Sequence, residues 1–140
     1  MRPKKVLLLV DQDEDALSIL KFLLATNGYR VLEATSGKEA IAVFAATPVV
    51  DMVLAAAAMT PMGGERLVAR LKRMRSYVPM AILCESGDKP SDEFAGDRWV
   101  SRSTAPAVLL DLAKVMCARK RGPRKGAWRE IASQISLVST

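Results

Sequence analysis

Short apolar runs that alternate with segments of helical periodicity are the feature that most constrains the fold of this chain. Residues 4–10 contain the continuous apolar run VLLLV, which is typical of a strand buried on both faces. In the next segment, Leu17, Leu20 and Leu24 recur at helical spacing. Four further strand-like runs follow along the chain, and three of them are followed by a segment of helical periodicity. It predicts parallel strands that are joined by right-handed helical crossovers.

Further strands and helices follow from the same periodicity. Asp13 is expected to cap the first helix, and Ser36 with Glu39 forms a capping-box pattern at the second. The third helix has a strongly basic outer side. We therefore predict an α/β fold with a doubly wound, five-stranded parallel sheet and helices on both faces. Later strands are predicted at residues 30–35, 50–56, 79–84 and 97–101, and later helices at 36–46, 64–75 and 105–120.

Several classes of chemistry are excluded by composition. The chain has no histidine, which removes the commonest general base and metal ligand. Cys84 and Cys117 lie far apart and outside any metal-binding spacing, so neither a zinc site nor a disulfide framework is expected. The longest apolar runs are shorter than a membrane span, and the N-terminus does not resemble a signal peptide. We expect a cytoplasmic protein that does not contact a membrane.

Positive charge is concentrated at the C-terminus. The formal net charge is +6, from 21 basic and 15 acidic residues. Beyond residue 118 the chain has one acid, Glu130, so fifteen basic and fourteen acidic residues remain in residues 1–117. We predict a domain over residues 1–118 and a basic linker or tail over 119–140, whose apolar spacing is compatible with a short helix. The basic residues of the tail are Arg119, Lys120, Arg121, Arg124, Lys125 and Arg129.

Two stretches carry a resemblance to a known family. They are VLLLVDQDEDALSILKFLLATNGYRVLEATSGKEAI and VDMVLAAAAMTPMGG. Over residues 4–117 the chain resembles the receiver domain of two-component response regulators. The resemblance implies a flavodoxin-like fold with strand order 2-1-3-4-5. It also implies a phosphorylation site made of an Mg²⁺-binding acidic pair, an acceptor aspartate, a hydroxyl residue and a lysine, each following a different strand.

The residues at these positions depart from the family pattern. Asp11 retains the first acid of the pair, whereas Gln12 replaces the second. Ala56 stands at the position of the phosphoacceptor, and a methyl group cannot accept a phosphoryl group. Cys84 stands at the hydroxyl position and Arg102 at the lysine position. The resemblance therefore implies a degenerate phosphorylation site, with no catalytic residues and weak or absent Mg²⁺ binding.

Other positions of the site have more than one interpretation. Arg102 is expected to pair with Asp11 or Glu85, and Asp13 is favoured as a helix cap over a second metal ligand. Trp99 falls at the family's switch-aromatic position, where core packing and an interface role are equally favoured. Residues 85–96 are about one turn shorter than the family pattern, so a shortened helix is expected between the fourth and fifth strands.

Three functions are compatible with these features. The favoured one is a receiver-like signalling module of a phosphorelay, which is not an enzyme and needs no cofactor. It would act by binding a protein, a histidine kinase or an output protein, without aspartyl phosphorylation. The alternatives are binding of nucleic acid or another anionic partner through the basic tail, and a conventional phosphorylatable response regulator.

Overall fold

One parallel sheet forms the centre of the molecule. The computed structural model describes residues 3–118, and all five predicted strands are present in that part of the chain. The strands are β1 (Val6–Val10), β2 (Arg30–Ala34), β3 (Met52–Ala56), β4 (Met80–Cys84) and β5 (Arg98–Ser101). Their order in the sheet is β2-β1-β3-β4-β5, as predicted. The direction of the strand order therefore reverses between β1 and β3.

Helices cover both faces of the sheet. Apolar side chains of the first helix, α1 (Glu14–Thr26), and the last, α4 (Pro106–Cys117), pack with one face. Those of α2 (Gly37–Ala46) and α3 (Gly64–Met74) pack with the other.

Asp13 caps α1 by accepting hydrogen bonds from two backbone amides, and Ser36 caps α2 by accepting one from the amide of Glu39. Both caps are confirmed, but the capping box is only half formed, because the Glu39 side chain accepts from the Thr35 hydroxyl at 3.3 Å and not from the Ser36 amide.

Three central strands are buried along their whole length. Every residue of β1, β3 and β4 is buried, whereas the edge strands β2 and β5 are only partly covered. Continuous burial explains why these strands read as unbroken apolar runs, because a parallel sheet with helices on both faces has no solvent-facing side. The core thereby holds the carboxyl ends of β1, β3 and β4 side by side.

The connection between β4 and β5 contains no helix. Within residues 85–97 the backbone forms turns, one of which is closed by a hydrogen bond from the Phe94 amide to the Ser91 carbonyl at 3.1 Å. The sequence predicts a shortened helix here, and the structure has only turns in its place. Phe94 packs edge-to-face against Trp99, with ring centroids 5.3 Å apart. This aromatic pair therefore covers part of the sheet that a helix would otherwise cover.

Asp97 fixes the end of the same connection. Its Oδ2 accepts hydrogen bonds from the Lys72 ammonium and from the Met80 amide, each at 2.8 Å. Lys72 also donates to the carbonyl of Val78 at 2.7 Å. One lysine thus joins α3 to the start of β4 and of β5, so the connection is held in place without a helix of its own.

The predicted tail over residues 119–140, with its six basic residues, lies outside the described part of the chain. Among residues 3–118, none of the helices is both long enough and apolar enough to cross a lipid bilayer.

Candidate functional site

The side chains that follow the strands meet at one edge of the sheet. The parallel register places Val10 beside Ala55, Ala56 beside Leu83 and Cys84 beside Ser101. Asp11 and Arg102 directly follow two of these strands. Because the edge includes the point where the strand order reverses, it is the place where open α/β sheets bind ligands.

An ion pair crosses this edge. Nη2 of Arg102 donates to Oδ2 of Asp11 at 2.7 Å, and Nε of Arg102 lies 3.2 Å from Oε1 of Glu85. The sequence predicts one of these two pairs, and the structure contains both. The Asp11 side chain is only 6% exposed, whereas that of Glu85 is 71% exposed. The contact with Asp11 is therefore the one that is shielded from solvent, and it matters more electrostatically.

Asp11 uses its second oxygen locally. Oδ1 accepts a hydrogen bond from the Asp13 amide at 3.0 Å, and Asp13 in turn caps α1. Both carboxylate oxygens of Asp11 therefore have partners within the chain. The Asp13 side chain caps the helix, as the sequence favoured.

Gln12 binds the loop that follows β3. Its Oε1 accepts from the Thr60 amide at 3.1 Å, and its Nε2 donates to the Thr60 carbonyl. An amide can make both bonds, whereas a carboxylate could accept but not donate. The partner of Gln12 was not predicted, because Thr60 lies 48 residues away and nothing local in the sequence indicates the contact.

Ala56 ends β3 as a buried residue. It is 1% exposed, and its methyl group belongs to the apolar core on the α2 and α3 face. A Cβ added to Gly64, at the start of α3, would collide with the Ala56 carbonyl, so this helix approaches the strand as closely as glycine allows. A carboxylate is absent here, and the place is filled by tightly packed backbone and small side chains.

Cys84 and Trp99 share one acceptor. The carbonyl of Asp88 accepts from Trp99 Nε1 at 3.1 Å and lies 3.9 Å from the Cys84 sulfur. Trp99 is half-buried and packs against Phe94 and the apolar core. Its indole is thus held on two sides, by a ring and by a carbonyl. Sequence periodicity could not predict the part played by Asp88, since it contributes only its backbone.

The residues at the site do not fit a divalent cation. Mg²⁺ prefers several oxygen ligands, usually including one or two carboxylates. Asp11 is the one buried carboxylate among the residues that follow the strands in the described region, and it is engaged by Arg102. Within residues 3–118 no three acidic or cysteine side chains converge in a way that could hold a metal ion.

Comparisons with known proteins agree with this fold. The family described as "Response regulator receiver domain" matches residues 7–96. Among curated proteins, the chain is similar to the transcriptional regulatory protein GlrR of Escherichia coli (strain K12), with 36% identity over 84 residues. That match covers 60% of this chain and 19% of GlrR, so the chain spans only about a fifth of this relative's length.

Solved structures give the same result. A response regulator receiver domain protein from Clostridium thermocellum superposes with a TM-score of 0.77 at 21% identity, covering 82% of this chain and 95% of that one. The response regulator TrrA from Thermotoga maritima, solved in complex with Mg²⁺ and BeF, gives a TM-score of 0.75 at 24% identity. Coverage is 80% of this chain and 98% of TrrA. At these identities the likeness supports the fold alone.

Proposed function

The chain belongs to the response regulator receiver family, and from that premise we propose that it is a receiver-like signalling module that works without aspartyl phosphorylation. The observation that carries the proposal is the Arg102–Asp11 ion pair, with Nη2 and Oδ2 2.7 Å apart, beside a strand that ends in Ala56. The Arg102 guanidinium is bonded to Asp11, the acid that would otherwise hold a metal, and Ala56 stands where the acceptor carboxylate would be. Among the described residues, the site then lacks the acceptor carboxylate, and its one buried acid is already paired within the chain.

Electrostatics support a single state for the site. A buried carboxylate needs a compensating charge, and here Arg102 supplies it from within the chain. Neither a metal ion nor a phosphoryl group is required to neutralise Asp11. We therefore propose that the sequence itself sets the conformation that phosphorylation sets in a conventional receiver.

The Gln12 contact supports the same conclusion. Its two hydrogen bonds to Thr60 hold the loop after β3 against the loop after β1. In a metal-binding receiver the second acid would occupy this position, as the resemblance implies. An amide makes the loop contact at the expense of a ligand, so the substitution favours a fixed loop over ion binding.

Trp99 fits a module with one state. Its ring is packed against Phe94, and its Nε1 is bonded to the Asp88 carbonyl. A switch aromatic must change its environment, but both contacts of this ring restrain it. We propose that Trp99 has a packing role in this chain.

A partner protein would recognise this fixed conformation by binding to it. We propose that residues 1–118 form the receiver unit and bind a histidine kinase or an output protein, and that residues 119–140 form a basic tail. TrrA is described in complex with Mg²⁺ and BeF. We propose that this chain does not form the corresponding complex, because Gln12 and Ala56 replace two of the carboxylates it would need.

A phosphodonor assay tests the proposal. The purified protein is incubated with Mg²⁺ and acetyl phosphate or phosphoramidate, and its intact mass is measured before and after. The response regulator TrrA, whose structure is described in complex with Mg²⁺ and BeF, is treated in parallel as a control for the quality of the donor. We expect no phosphorylated species of this chain. A stoichiometric, acid-stable and base-labile adduct would overturn the proposal.

A further inference from the structure

A second surface of the molecule has a charge that the ion pairs of the fold do not explain. Arg66, Arg70 and Arg73 of α3 are exposed, and none of them forms a salt bridge within residues 3–118. At 3.6 residues per turn these positions lie within an arc of about 60° and span about 10 Å along the helix. We call these three arginines the basic stripe.

The basic stripe as a whole is not arranged for the stability of α3. Like charges three or four residues apart weaken a helix, and the helix dipole disfavours Arg66 in the first turn, although it favours Arg73 in the last turn. The paired lysine of the same helix, Lys72, shows the contrast, because its ammonium bonds Asp97 and two carbonyls. In contrast to Lys72, no ion pair within residues 3–118 holds the three arginines of the basic stripe.

The neighbouring surface is almost free of acids. Helix α2 packs beside α3, and these two helices contain only two acids, Glu39 and Glu65. Glu65 accepts hydrogen bonds from the amide and hydroxyl of Ser91, and Glu39 accepts one from the Thr35 hydroxyl. Neither acid is paired with the basic stripe, so the two helices do not neutralise its three positive charges through direct ion pairs.

Small and apolar side chains are exposed on the neighbouring helix α2 and directly after the basic stripe in sequence; we call them the apolar border. On α2, Ala42 and Ala45 are exposed, so another backbone could approach this helix closely. Met74 and Tyr77 follow the stripe in sequence and are 42% and 41% exposed. Arginine, tyrosine and methionine are the residue types enriched at protein interfaces.

From charge complementarity and this apolar border, we propose that the basic stripe and the exposed side of α2 dock an acidic helical segment of a protein partner. Carboxylates at i, i+4 and i+7 of a facing helix would repeat at the spacing of the arginines. Nucleic acid fits less well, since its affinity grows with the number of phosphates neutralised and residues 1–117 carry a net charge of only +1. The apolar border also has no counterpart on a phosphate backbone. The inference rests on the proposed function for its class of partner.

The experiment uses the full chain and a synthetic helical peptide. The peptide has Glu at i, i+4 and i+7 on one face with Ala and Leu beside them, and a matched peptide has Gln in their place. Binding is followed by fluorescence anisotropy, and the bound surface is mapped by amide chemical shifts. A short DNA duplex is titrated in the same way.

Two variants of equal charge separate the surface from general electrostatics. Arg66→Gln, Arg70→Gln and Arg73→Gln together remove the basic stripe, whereas Lys89→Gln, Arg98→Gln and Lys114→Gln remove three exposed charges elsewhere. All six positions are exposed, so both variants are expected to fold, which a thermal unfolding curve checks. We expect the Glu peptide to bind about fivefold or more weaker to the stripe variant and within about twofold of wild type to the control.

Shifts confined to α2 and α3, absent with the Gln peptide, would support the inference. The inference would be overturned if both variants lost the same affinity, if the amide shifts were confined to the tail, or if the peptide did not bind. It would also be overturned if DNA bound at the basic stripe more tightly than the peptide. The phosphodonor assay does not depend on the arginines. If the peptide experiment failed and the phosphodonor assay gave no phosphorylation, the docking surface would be ruled out and the proposed function would stand.

Discussion

The guanidinium of Arg102 bonds the carboxylate of Asp11 at 2.7 Å, although two strands, β3 and β4, lie between the strands that these residues follow. The contact therefore crosses the edge of the sheet at which β3 ends in Ala56. It joins residues 91 positions apart in sequence. In the proposed function this contact neutralises Asp11 and sets the conformation of the site, which a metal ion and a phosphoryl group do in a conventional receiver.

Removal of the guanidinium should destabilise the fold. Arg102→Gln leaves a carboxylate that is nearly inaccessible to solvent without its cation, and we expect the free energy of unfolding to fall by about 1–3 kcal/mol. Urea unfolding at neutral pH measures the loss. Glu85→Gln is the matched control, since it removes only the exposed pair and should cost no more than about 0.5 kcal/mol. Equal effects of the two substitutions would contradict the importance assigned to Asp11.

Gln12 allows a test in which shape is conserved. Gln12→Glu keeps an oxygen for the Thr60 amide but replaces the donor to the Thr60 carbonyl with a second acceptor. We expect a loss of about 1 kcal/mol in unfolding free energy and faster hydrogen exchange in the loop after β3. Native-state hydrogen exchange detects the local effect. Unchanged exchange at Thr60 would mean that the loop is held by other contacts.

The aromatic pair should behave as a structural element. Trp99→Phe keeps a ring to pack on Phe94 but loses the bond to the Asp88 carbonyl, and we expect a cost of about 1 kcal/mol. Trp99→Ala loses the ring as well and should cost about 3 kcal/mol. Thermal or urea unfolding measures both. If Trp99→Ala were nearly neutral in stability, the packing role proposed for this residue would be wrong.

Alkaline pH should weaken the fold through Cys117. Burial, aided by the negative charge of Asp51, raises the pKa of this thiol from an ordinary 9.0 to about 12. As pH rises above 9, the unfolded chain loses the thiol proton while the folded chain keeps it, so the free energy of unfolding falls. Cys117→Ala should make that fall shallower between about pH 9 and 11, measured by urea unfolding across the range. Parallel curves for the two proteins would contradict the raised pKa.

Much of the fold could be predicted because its signals are local. Unbroken apolar runs indicated the three buried strands, and the caps Asp13 and Ser36 stand where their side chains meet the first turn of a helix. The strand order followed from the family resemblance and agrees with the structure. The pair of Arg102 with Asp11 was predictable because both residues follow strands that end at the same edge.

The remaining contacts depend on partners that a sequence does not indicate. Gln12 bonds the backbone of Thr60, and Trp99 bonds the backbone of Asp88, so the identity of the acceptor residue carries no signal. The length of residues 85–96 indicated a shortened helix. That the connection is held by Asp97 instead is a matter of tertiary contacts to Lys72 and Met80.

Titration of the ¹⁵N-labelled protein with Mg²⁺ and then with beryllofluoride, a mimic of the aspartyl phosphate, tests the central claim most directly. Amide resonances report on Asp11, Ala56, Cys84 and Arg102 individually. If the site is closed by its own ion pair, these resonances stay in place through both additions. A saturable shift at these positions would show that the site still binds its metal and the phosphoryl mimic, and the claim of independence from phosphorylation would be wrong.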